Sequence, residues 1–326
     1  MSSVPDLTGP LGGSNLIYVT KSRWQIFCLA IRWATVVATV AVLTNLVVQH
    51  SSDLSKFSFD IDPYWLIPAF VATTAANFLL PLGWRALISA YGHEISRSSA
   101  IKLWCLAQTG RYLPTGLIAV ASRISLALKF SIPKSVTAAS IAVETLFLIG
   151  WAAAVCAVFI PSTFLPLAFK WLLGLAASSG LLLLPLLMSG IGARLTKTNP
   201  LKGDTSTRRH IYQAGTLFGA SVLIRTLGIV ALAFAFLNIQ GSDINLLVGA
   251  SYAGILAGMI GITPAGIGVR EGVIATILAT QIGIGDATAF AVLSRAWEFG
   301  AEMLFLGAAS WWEHKKKGSA AERQAT

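Results

Sequence analysis

The chain has 326 residues, of which 55% are hydrophobic and 12% charged, against about 45–50% and about 25% in soluble proteins. At a mean hydropathy of +0.71, that much apolar surface can be buried only in lipid, which excludes a soluble globular protein and leaves a polytopic membrane protein. The net charge of +10 resembles a nucleic-acid footprint, but no basic stretch is interleaved with stacking aromatics, so nucleic acid is not an expected partner and the charge needs another origin.

Taken in chain order, residues 1–20 form a flexible tail without an apolar core, and no signal cleavage is expected. The first predicted span is Trp24 to Val48 and the second Tyr64 to Leu82, with Asp60 and Asp62 in an acidic turn before Pro63. The apolar region Ala100 to Phe130 is broken at Gly110-Arg111-Tyr112-Leu113-Pro114-Thr115-Gly116, so its arms are too short to cross. Spans follow at Val136 to Ile160, Thr163 to Met188 and Tyr212 to Leu237. A second broken region, Asn245 to Ile282, is interrupted at Gly261-Ile262-Thr263-Pro264-Ala265-Gly266-Ile267-Gly268. The last span is Ala287 to Trp312, and a basic tail occupies 313–326.

Short cytoplasmic loops collect Lys and Arg. Sorted by loop, 16 of the 24 basic residues fall on one face, and the other face holds Lys56 alone. This places both termini in the cytoplasm and the protein in the cell (inner) membrane. It also makes each broken region begin and end on one side, as a re-entrant hairpin. The predicted fold is therefore all-α, with six full spans and two re-entrant helical hairpins in one transmembrane domain over 21–312. Its halves, about 24–160 and 163–312, have opposite topology. Pro114-Thr115-Gly116 matches Pro264-Ala265-Gly266, and Ser135-Val136-Thr137-Ala138-Ala139 aligns with Asp286-Ala287-Thr288-Ala289-Phe290, which sets Glu144 opposite Arg295. Inverted repeats of this kind recur in transporters, where broken helices meet near the midplane and build the substrate site.

The stretch GRYLPTGLIAVASR followed by a span with a buried Glu, and ITPAGIGVREG followed by LSRAWEFGAE, resemble the transmembrane flippase-like domain of lysylphosphatidylglycerol synthases and its stand-alone relatives. The likeness runs from about Trp24 to Trp312, and its most specific part is the P-x-G-x-G-V-R-E block. Ala265 stands where the family more usually has a second Gly. The resemblance implies a module that moves a lipid with a charged headgroup between leaflets, without the soluble aminoacyl-transferase domain of the fused members. It leaves the lipid open, polyprenyl-linked sugars included.

Apart from Arg32 and Lys170, which lie about eight residues from the ends of their spans and can snorkel, eight charged residues, Arg123, Glu144, Arg225, Arg270, Glu271, Arg295, Glu298 and Glu302, lie within spans or hairpin arms. Each costs roughly 2.5–3.5 kcal/mol at a helix centre, so they must face the protein interior. Arg295, Glu298 and Glu302 share one face of the last helix by their i,i+3 and i,i+4 spacing. Two readings stay open. They are structural ion pairs, with Glu144 expected on Arg295 and Arg225 on Glu298, or they line a polar cavity for a headgroup. After Gly116 and after Gly268 a half-helix begins with free N–H groups and the positive end of its dipole inward, a natural phosphate seat. Arg111, Arg123 and Arg270 lie close enough to add charge-assisted hydrogen bonds. The alternative is that Gly and Pro only let the chain reverse. Asn77, late in the second span, is a further candidate for the cavity wall.

The expected substrate-binding set is thus Arg111, Pro114, Gly116, Arg123, Glu144, Arg225, Pro264, Gly266, Gly268, Arg270, Glu271, Arg295 and Glu298. Cofactor, metal and catalytic residues are not expected, because the seven Asp and four His all lie outside the spans and no nucleophile or P-loop motif is present. The expected partner is a membrane lipid with a phosphate headgroup, together with a glycosyltransferase or lipid synthase acting on it. Transport is expected to run downhill or to be coupled to an ion gradient through a buried Glu. Two other readings stay open: a membrane-embedded lipid-modifying transferase, and a non-transporting partner of a glycosyltransferase.

Overall fold

The computed structural model describes residues 61–108, 117–196, 205–237, 239–260, 266 and 268–325, and every regular element among them is helical. The expected first span, Trp24 to Val48, lies outside the described residues, as does the tail before it. Helix α1 (Pro63–Ala90) starts where the acidic turn was expected: Asp62 accepts the Tyr64 N–H at 3.0 Å and a proline occupies the first turn. It continues past the expected end at Leu82. The cause is tertiary: a Cβ on Gly83 would stand 2.7 Å from the Phe218 ring, so the glycine serves close helix contact and does not stop the helix.

The first broken region gives two twelve-residue helices packed on each other, α2 (Arg97–Gln108) and α3 (Leu117–Leu128). Ser96 caps α2 by accepting the Ser99 N–H at 3.1 Å. Ser131, at φ 58°, turns the chain into Pro133 and the long helix α4 (Lys134–Phe159). Helices α5 (Leu167–Thr196) and α6 (Thr205–Phe236) follow. After a 3-10 turn at Gly241–Asp243 comes the second broken region, α7 (Ile244–Ile260) and α8 (Val269–Ile282), again packed on each other. Gly283, at φ 82°, separates α8 from α9 (Ile284–Ala325). The expected basic tail continues α9, because its Ala, Glu, Lys and Arg residues are good helix formers.

Helices α1, α4 and α6 are long and apolar enough to cross a membrane. Their outer faces, and that of α5, present exposed Ile67, Val71, Leu172, Leu175, Leu182 and Leu227. A surface so apolar, with the helices' own backbone bonds satisfied internally, suits contact with lipid. The chain is an integral membrane protein.

Two apolar clusters form the interior. One gathers the C-terminal half of α1, α2 and the first halves of α4 and α6 around Trp84, Leu87, Leu103, Phe147 and Phe218. Ile95, Ile132, Val136 and Ile211 also belong to it, so the exposed Arg97, Lys129, Lys134, Arg208 and Arg209 beside them share one end of the bundle. The other joins the later parts of α4 and α6 to α7, α8 and the start of α9, around Leu232, Leu247, Tyr252, Ile274 and Phe290. The packing is reciprocal: α1 lies along α6, α4 packs on α7 while α9 packs on α2, and α4 touches α6 while α9 touches α1.

Candidate functional site

Seven of the eight charges converge in two clusters where the short helices α3 and α8 meet α4, α6 and α9. In the first, Arg123 of α3 reaches Glu144 of α4, with its Nη1 donating to Oε2 and its Nη2 to Oε1 at 3.4 Å. Trp104 of α2 donates its Nε1–H to the same Oε1 at 3.2 Å. The guanidinium sits 5.6 Å from the ring centre of Trp84 and 5.7 Å from that of Trp104, within cation–π range of both. Trp84 is itself fixed by donating to Ser140 at 3.0 Å. Arg123 and Glu144 are both buried, and each charge has its neutralising partner inside the cluster.

The second cluster is wider. Arg270 of α8 grips Glu298 of α9 with both prongs of its fork, Nη1 to Oε2 at 2.6 Å and Nη2 to Oε1 at 2.9 Å. Arg225 of α6 donates to the same carboxylate at 3.3 Å and to Asn77 Oδ1 of α1 at 2.7 Å. Arg295 stands between two carboxylates, 3.8 Å from Glu298 and 3.6 Å from Glu271. Glu271 also accepts the Gly268 N–H at 2.7 Å, which caps the start of α8 from within.

The break before α8 is set by glycine. Gly266 and Gly268 have φ of 70° and 83°, a left-handed backbone that only glycine adopts without strain. A Cβ on Gly266 would fall 2.6 Å from the Cα of Gly258, so α7 and the break touch backbone to backbone. This contact carries Arg270, two residues beyond Gly268, to the α7 side of the cavity described next.

Between the clusters lies a cavity of about 290 Å³, close to the lower end of the usual ~300–1,000 Å³ for small-molecule sites. It is walled by α2, α3, α4 and α7. Among the described residues, the ionisable side chains on its wall are Arg123, Arg270, Arg295 and Glu144. Glu271 and Glu298 are not on that wall; they stand behind the arginines they neutralise. The wall therefore carries three cations and one anion, with Trp104, Gln108 and Thr145 as further polar or aromatic contacts. Such a lining suits an anionic group.

The family model described as lysylphosphatidylglycerol synthase TM region matches residues 33–305, which includes both clusters and the whole cavity. The chain belongs to the lysylphosphatidylglycerol synthase transmembrane-region family. Comparison with curated proteins and with solved structures returns no match. The cavity of this family member thus rests on its own geometry.

Of the residues expected at the site, Arg123, Glu144, Arg270 and Arg295 line the cavity, while Arg225, Glu271 and Glu298 form the layer behind it. Arg111, Pro114, Gly116 and Pro264 lie outside the described residues. The expected pair of Arg225 with Glu298 is present. The expected pair of Glu144 with Arg295 is not among the ion pairs of the described residues; α3 packs on α4, and that brings Arg123 to Glu144 first. The two residues set opposite each other by the repeat register do border the same cavity. Asn77 anchors Arg225 and is not on the cavity wall. Part of the anion seat expected at the start of α8 is taken by Glu271. Trp84 and Trp104 were not anticipated. The available signal was the place of Trp104 well inside a short arm, away from the interface where Trp usually anchors a helix.

Proposed function

We propose that this protein is a lipid flippase or transporter that moves an anionic or polyprenyl-phosphate-linked lipid between the leaflets of the cell membrane. The observation that carries the proposal is the cavity wall: three arginines face the space, and two of the carboxylates that balance them are held behind. A phosphate entering there gains guanidinium forks without first meeting an equal number of anions. Family membership supports a lipid as the molecule that bears the phosphate.

The transport architecture proposed is two inverted halves with six spans and two re-entrant hairpins, both termini cytoplasmic. At ~1.5 Å per residue, α2 and α3 are each about 18 Å long, α7 about 26 Å and α8 about 21 Å, short of a ~30 Å hydrocarbon core. Each pair also packs on itself, as the arms of a hairpin do. The reciprocal packing of α4 on α7 and α9 on α2, with α1 along α6, is what a two-fold axis between the halves produces. The basic residues gathered at one end of the bundle favour that end as cytoplasmic.

Reconstitution into liposomes tests the function. Leaflet-labelled phosphatidylglycerol, phosphatidylcholine and polyprenyl phosphate are followed with and without imposed pH or Na⁺ gradients. Exchange of an acidic lipid faster than in protein-free vesicles is expected; no acceleration for any lipid sinks the proposal. Product formation by the purified protein with donor and acceptor lipids would replace it with a transferase. For topology, single cysteines at Ser131 and Gly283 are expected to label from opposite sides.

A further inference from the structure

Arg270 borders two spaces at once. It is on the wall of the large cavity, and it also lines a void of about 10 Å³ with Thr73, Ser251, Ser294, Arg225 and Glu298. That void is just large enough for one water. The guanidinium is thus the element shared by the cavity and the ion network behind it.

We propose that Glu298 is a built-in substitute for the ligand's phosphate: it holds Arg270 while no anion is in the cavity, and releases it when a phosphate mono- or diester enters. The inference rests on the reading of the cavity as a headgroup site and adds how that site exchanges its charges. Four features support it. The bond to be exchanged is a carboxylate in the same two-pronged fork that a phosphate accepts, so the ligand replaces Glu298 group for group. Glu298 does not become an isolated anion when Arg270 leaves, because Arg225 stands 3.3 Å away and Arg295 3.8 Å away. Arg225 does not follow Arg270, because Asn77 Oδ1 holds its other prong at 2.7 Å. The void beside Glu298 has room for a water to take over the vacated lone pairs.

Arg123 is not equivalent. Its carboxylate partner has one arginine and one indole N–H among the described residues, so withdrawing Arg123 leaves Glu144 buried without a countercharge. Arg270 is therefore the arginine that changes partner, and Arg123 with Glu144 is a fixed part of the wall.

The test measures binding to the full-length protein in detergent, with dioctanoyl phosphatidylglycerol and inorganic phosphate as separate probes. In Glu298→Gln the competing carboxylate is gone, and the wild-type affinity is expected to improve on the order of tenfold, the worth of one charge-assisted bond. In Arg225→Gln the carboxylate leans harder on Arg270, and affinity is expected to fall several-fold. Opposite signs from two neighbouring substitutions are not produced by simple damage to the fold. If Glu298→Gln binds no tighter than wild type while retaining its helical circular dichroism and elution volume, the exchange is refuted and the headgroup reading survives. Glu298→Asp, which keeps the charge but shortens the reach of the fork, is expected to tighten binding to a smaller extent. Failure of both Glu298 variants to fold also overturns the proposal, since an exchangeable carboxylate cannot be indispensable to the structure. Wild-type protein that binds neither probe refutes the headgroup reading itself. Preference for phosphatidylglycerol assigns the phosphate to a lipid, and equal binding assigns it to free phosphate.

Discussion

The two charge clusters solve the same problem differently. At Arg123 and Glu144 the solution is closed: one cation, one anion, two indole rings around the guanidinium and an indole N–H on the carboxylate. At Glu298 it is shared, with one carboxylate between Arg270, Arg225 and Arg295. Such a closed pair has no spare partner among the described residues, so removing either half leaves an uncompensated charge in a low-dielectric setting. A shared carboxylate can lose one partner and remain paired. The difference separates a structural element of the wall from one able to change partners.

The largest effect should come from breaking the closed pair. Arg123→Gln strands Glu144 and is expected to cost about 3–5 kcal/mol, the usual penalty for removing one member of a buried ion pair. It would be read as a large fall in the detergent unfolding midpoint, and a double variant with Glu144→Gln should recover part of the loss. A midpoint near that of wild type would show that the first cluster is not closed. An intermediate effect is expected at the break that positions the shared cluster. Gly266→Ala places a Cβ against Gly258 on a left-handed backbone, with strain of about 1–3 kcal/mol, and should weaken phosphatidylglycerol binding by displacing Arg270. Unchanged binding would detach Arg270 from the glycine contact. The smallest effect is expected for Arg225→Gln, at about 1 kcal/mol of stability, because Glu298 keeps the fork of Arg270. A loss as large as that of Arg123→Gln would erase the contrast between the clusters.

Much of this was legible in the chain. The apolar runs located α1, α4, α5, α6 and α9 within a few residues at most ends, and the Gly and Pro breaks located the two pairs of short helices. Two ends moved for different reasons: Gly83, which hydropathy reads as a boundary, is turned into a contact by Phe218, whereas α9 runs on to Ala325 through residues of good local helix propensity. The membership of the charge clusters was legible as well, because each of those residues had to be kept from lipid. Trp84 and Trp104 were not, since an indole in an apolar helix carries no mark of the cation it will cover.

By itself the sequence determined that this is a helical membrane protein with charges turned inward, because lipid penalises exposed backbone and exposed charge at every position in the same way. It determined also that Gly266 and Gly268 would break a helix, a property of the local backbone. Partner choice was decided only by the tertiary structure. Helical spacing puts Arg295 and Glu298 on one face but does not say which helix lies opposite, and a repeat register that aligned Glu144 with Arg295 could not foresee that α3 would deliver Arg123 first. Pairing depends on distance through space, and those distances exist only once the helices have packed.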